Sequence, residues 1–100
     1  MEGLNDKEVK SFEDNDEGFR KWLVANRRGY VLNCYKATSR SGGPYMLHLA
    51  TCYTLDAKNP TTTQFYKACS NDKQRLINLA ADERAKRGYD ELKRCTKCNP

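Results

Sequence analysis

Residues 30–36, YVLNCYK, and residues 45–51, YMLHLAT, flank the Ser/Gly/Pro-rich stretch 38–44 and together predict an antiparallel hairpin with a long loop. Both runs are rich in β-branched and aromatic side chains, which suit a pleated, half-buried surface. In the second run the period of two sends Tyr45, Leu47 and Leu49 to one face and Met46, His48 and Ala50 to the other. His48 therefore shares a face with Met46, not with the leucines.

Beyond this hairpin, residues 54–63 hold Asp, Asn, Pro and a triple Thr, which is loop chemistry, and QFYKAC at 64–69 predicts a third strand. Ser70 or Asn71 can then open a helix over 72–87 with Leu76, Leu79 and Ala80 as its buried stripe, Ile77 at its flank and Gly88 at its end. On the other side, Phe19, Trp22, Leu23 and Asn26 follow the spacing of an amphipathic helix. Asn15 or Asp16 caps it, Arg27 and Arg28 complement its C-terminal dipole, and Gly29 lets the chain leave, so a helix is predicted over 16–27. The expected fold is α+β, a small three-stranded antiparallel sheet with two helices. Residues 1–14 read as a flexible acidic leader and 15–100 as a single domain.

A chain of 100 residues buries a small core and benefits from a staple. Five cysteines supply one. The acidic start carries no apolar run that could serve as a secretory signal, and no stretch has membrane length, so a cytoplasmic protein without membrane association is expected. In a reducing compartment a disulfide framework is unexpected, and an odd cysteine count cannot close on itself, which leaves metal ligation.

Cys95 and Cys98 have the two-residue spacing at which a tight turn presents two thiolates to one tetrahedral ion, so a C-terminal zinc knuckle is expected to complete the fold and to make 15–100 a zinc-stabilised domain. A thioredoxin-like redox motif shares that spacing but opens a helix after a strand, whereas here only two residues follow Cys98. For the remaining donors the residues offer Cys52 together with His48 or, as the alternative, Cys69 at the end of the third strand. Cys34 has no donor near it in sequence and reads as core.

The stretch HLATCYTL, followed after a helix by GYDELKRCTKCNP, resembles the Ada-type zinc-binding domain over about residues 45–100. That resemblance implies His48, Cys52, Cys95 and Cys98 as the four ligands of a Zn2+ ion. Forty-two residues separate Cys52 from Cys95, more than is usual in the family. In the Ada repair proteins the first cysteine of this set accepts a methyl group from DNA phosphotriesters; here that position is His48, so alkyl transfer is not expected. Four protein donors also close the coordination sphere, and the protein is expected to be no enzyme.

Charge is divided unevenly. Residues 1–17 hold seven carboxylates against Lys7 and Lys10, while residues 18–100 hold sixteen Lys/Arg against six acids. A basic body of this kind suits phosphate backbones, with an acidic protein as the alternative partner. Arg27, Arg28, Lys36 and Arg40 near the hairpin, and Arg84, Arg87, Arg94 and Lys97 around the second helix and the knuckle, are the candidate nucleic-acid contacts. Tyr30, Tyr35, Tyr45, Tyr53 and Tyr66 are available to stack on bases, or else pack on the thin core.

Overall fold

A computed structural model of the chain describes residues 8–36, 45–56, 58–62, 65–87 and 92–100. In chain order these form strand β1 (Lys10–Phe12), helix α1 (Asp16–Ala25), strands β2 (Tyr30–Tyr35) and β3 (Met46–Leu49), a 3-10 turn (Tyr53–Leu55), strand β4 (Phe65–Ser70), helix α2 (Lys73–Arg87) and strand β5 (Lys93–Arg94). The α+β class is as expected, with both helices and the hairpin in place. The sheet differs: it has five strands in the order β1-β4-β2-β3-β5, and β5 runs parallel to β3.

The two added strands lie at the sheet's edges and are held by backbone pairing, not by a side-chain pattern. In β5 both residues are exposed, and the segment is fixed by the amides of Lys93 and Cys95, which donate to the carbonyls of Tyr45 and Leu47 at 2.9 Å each. Strand β1 pairs antiparallel with β4, Lys10 opposite Cys69, and Phe12 packs on Phe19 with ring centroids 6.1 Å apart. It falls inside the stretch expected to be a leader, so paired structure begins before residue 14; residues 1–7 lie outside the described residues.

Both faces of the sheet are covered. On one, Leu32, Cys34, Tyr45, Leu47 and Ala68 meet Leu76 and Ala80 of α2. On the other, Val31, Ala50 and Cys69 meet Phe19 and Trp22 of α1 together with Cys52, Leu55 and Cys95. Full burial of a side chain such as Phe19 contributes about 1.5–3 kcal/mol, so α1 is held mainly by two aromatics.

The ends of α1 follow from two asparagines. Asn15 accepts from the Gly18 amide at 2.9 Å and caps the start. At the other end Asn26 turns its Nδ2 back to the Trp22 carbonyl, 2.9 Å away, while its Oδ1 accepts from Asn71 at 2.9 Å. The helix thus stops at Ala25 and not at 27, and Arg27 and Arg28 lie in the turn beyond it. The start of α1 also anchors the loop at 58–62: Asp16 accepts from the Thr61 amide at 2.7 Å and from its hydroxyl at 2.6 Å. Lys67 on β4 is buried and donates to Asn33 Oδ1 and the Pro60 carbonyl, so its ammonium holds the same loop from beneath.

Candidate metal centre

His48 sits on β3, and its ring points away from Leu47, toward the α1 side of the sheet. Directly after the strand the chain turns, with the Cys52 amide donating to the Leu49 carbonyl at 3.0 Å and the Leu55 amide to the Cys52 carbonyl at 3.1 Å. This turn folds Cys52 back beside His48. The last two donors arrive through β5, whose parallel pairing with β3 delivers Cys95 alongside Leu47. Past Cys95 the chain closes a tight knuckle: Lys97 N–H meets Cys95 Sγ at 3.4 Å, Asn99 N–H donates to the Cys95 carbonyl at 2.9 Å, and Asn99 takes φ 50°.

The ligand atoms of His48, Cys52, Cys95 and Cys98 all lie within 4.8 Å of one another. Cys52 Sγ and Cys95 Sγ are 3.8 Å apart, too far for a disulfide and correct for two corners of a coordination tetrahedron. This cluster can hold a metal ion, and it consists of the same four residues that the Ada-type resemblance implies.

Burial lowers the His48 pKa to about 4, with Lys67 adding to the effect, so the imidazole is neutral at pH 7 and in its ligating form. Burial pushes Cys98 up to about 11, although the Leu49 amide donates to its sulfur at 3.2 Å. Cys95 moves the other way: burial raises it, but the amides of Lys97 and Cys98 and the neighbouring thiols outweigh burial and lower it. Such N–H···S contacts are the support a metal-bound thiolate needs. The Thr54 hydroxyl lies 2.9 Å from Cys52 Sγ and 3.4 Å from His48 Nδ1, within hydrogen-bond reach of both. Nothing in sequence singled out Thr54 beyond its position two residues after Cys52.

Cys69, the alternative to His48, is not in the cluster. It is fully buried on β4 opposite Val31, and Val31 in turn lies opposite His48, so a whole strand separates the two side chains. Cys34 is likewise core, its thiol pushed up to about 12 by burial.

The candidate nucleic-acid contacts do not form one group. Arg27, Arg28, Arg84, Arg94 and Lys97 are exposed, but Arg27 and Arg28 follow α1 on one side of the sheet, whereas Arg84 and Arg94 line a cleft beside α2 on the other. Lys36 departs from expectation: it is buried and its Nζ contacts Asp14 Oδ1 at 2.7 Å, so its charge is used internally. Arg40 and the Arg87 side chain lie outside the described residues. Among the tyrosines, Tyr45 is buried, Tyr35 packs between Tyr45 and Phe65, Tyr30 lies under Lys73, and Tyr66 is half-buried. Tyr53 alone of these five is exposed, at 69%.

No family model, no curated protein and no solved structure matches the chain. Among the described residues no helix is long and apolar enough to cross a membrane.

Proposed function

We propose that this protein is a small binding module built around one structural zinc ion, and that its partner is a nucleic acid met through exposed arginines and lysines. The observation that carries the metal part is the convergence of His48, Cys52, Cys95 and Cys98. Three thiolates and a neutral imidazole are a borderline-soft donor set, and donors about 2.0–2.3 Å from a tetrahedral Zn2+ have the mutual spacing seen between Cys52 and Cys95. Four protein donors leave no position for water or substrate, which makes the role structural and not catalytic. The Ada-type likeness remains part of this reading for its ligand positions only, because a histidine occupies the methyl-accepting place. A reducing, cytoplasmic setting suits three closely spaced thiols.

The nucleic-acid part rests on the exposed Arg27, Arg28, Arg84, Arg94 and Lys97. Mass spectrometry under native and denaturing conditions tests the first part: one zinc per freshly reduced chain is expected, and metal-free folded protein would sink it. For the second, a titration of labelled DNA and RNA at several salt concentrations is expected to give affinity that falls as salt rises. Absence of binding at low salt, with retention of an acidic protein instead, would favour a protein partner.

A further inference from the structure

We infer that the cleft between α1 and the loop bearing Cys52 holds single-stranded nucleic acid, with one unpaired base on Tyr53 and the adjoining phosphates on Arg27 and Arg20. The inference rests on the nucleic-acid reading above and names its site. The cleft has a volume of about 310 Å³, at the lower end of the range for small-ligand sites and enough to seat a base. Arg20, Leu23, Val24 and Arg27 line one wall, and Thr51 and Tyr53 line the other.

Three observations converge here. Val24, 74% exposed, and Tyr53 are the exposed large hydrophobics among the described residues, and both border this cleft. The other described tyrosines are committed to packing, so Tyr53 is the aromatic face available to a base. Two guanidiniums border this apolar surface, with the Asp56 carboxylate in the lining and Asp16 within the electrostatic reach of Arg20. Arg20 donates to the Lys58 carbonyl at 2.8 Å, which fixes its position, and its charge also acts on Asp16.

An acidic peptide would satisfy the arginines but gain little from an exposed ring, and a duplex keeps its base faces stacked inside. A single strand presents phosphate and bare base together, the combination this wall offers. Tyr53 follows Cys52 directly and begins the 3-10 turn Tyr53–Leu55, so its backbone is held by the turn that leaves the candidate metal centre.

The test uses the metal-loaded full chain and a short fluorescein-labelled oligothymidylate, read by anisotropy. Tyr53→Ala is expected to weaken binding roughly 5- to 100-fold, while Tyr53→Phe binds like the parent protein. Arg27→Ala is expected to reduce the salt dependence by about one phosphate contact, and a hairpin duplex is expected to bind less tightly than the single strand. Metal content measured on each variant shows that the centre is intact. Unchanged binding by Tyr53→Ala, with loss on Arg84→Ala or Arg94→Ala, would overturn this site and keep the nucleic-acid reading. Failure of the parent protein to bind any nucleic acid at low salt would overturn both. Displacement of the strand by polyglutamate that depends equally on Tyr53 would overturn this inference in favour of an acidic protein.

Discussion

His48 and Cys69 occupy one row and one face of the sheet, on opposite sides of Val31. Strands lie about 4.8 Å apart, so the two residues are separated by roughly 10 Å, well beyond the reach of a shared ion. Cys69→Ser is therefore expected to keep its metal, whereas Cys52→Ser, Cys95→Ser and Cys98→Ser are expected to lose it. His48→Ala is expected to lose or greatly weaken it. Because metal binding to such a site is linked to folding, each ligand loss should lower Tm by more than about 10 °C, and chelation of the parent protein should do the same. Metal analysis and thermal melts on the five variants check this; retention of zinc by Cys52→Ser would overturn the ligand set.

Thiol labelling offers a second readout. Burial pushes the Cys34 thiol up to about 12 and raises Cys69 further, and neither has a metal to release it. In the folded, metal-loaded protein iodoacetamide is expected to leave both untouched. Removing the metal should expose Cys52, Cys95 and Cys98 to labelling, and denaturant should be needed to reach the other two. Peptide mapping after timed labelling distinguishes the sets, and early labelling of Cys69 would contradict its place in the core.

Most of the candidate site is legible in the sequence because its halves are local. His48 and Cys52 lie at the end of one strand, Cys95 and Cys98 in one turn, and the spacing within each pair reflects ligand chemistry. Strands β1 and β5 were not legible, since Lys93 and Arg94 are exposed and polar and Lys10–Phe12 is too short to show a period. Their pairing is written in backbone hydrogen bonds to a neighbour distant in sequence. Lys36 and Tyr53 illustrate the same limit for function. A lysine near a hairpin looks like a phosphate contact until Asp14 is found beside it, and five tyrosines look alike until packing removes four of them.

Acid sensitivity should trace partly to Asp16. Its pKa is lowered chiefly by the Thr61 hydroxyl, with the Thr61 amide and Thr62 assisting against a contribution from burial. A carboxylate depressed in the folded state contributes stability above its unfolded pKa, near 3.8, and loses it as pH falls through the folded value. The difference in denaturation midpoint between the parent protein and Asp16→Asn should therefore be full above about pH 5 and shrink below about pH 4. A difference that grows on acidification would rule out the assigned direction. Thr61→Val, which leaves the Asn15 amide without its 2.8 Å acceptor, should cost about 1–3 kcal/mol at neutral pH.

Gly29 sets the distance between α1 and the sheet. A Cβ at this position would lie 2.6 Å from the Trp22 ring, 2.8 Å from Asn71 Oδ1 and 3.2 Å from the Asn26 carbonyl. Trp22 is packed in the core and Asn71 is bonded to Asn26, so relief requires moving the end of α1. The Gly29 carbonyl also accepts from the Ala50 amide at 2.9 Å, two residues before Cys52, so the displacement reaches the loop that carries one member of the candidate metal centre. Gly29→Ala is expected to destabilise the fold by about 1–3 kcal/mol through overpacking. Zinc affinity, measured by competition with a chromophoric chelator, should fall with it. If Gly29→Ala melts with the parent protein, the contact between Trp22 and this turn is not the constraint that positions α1.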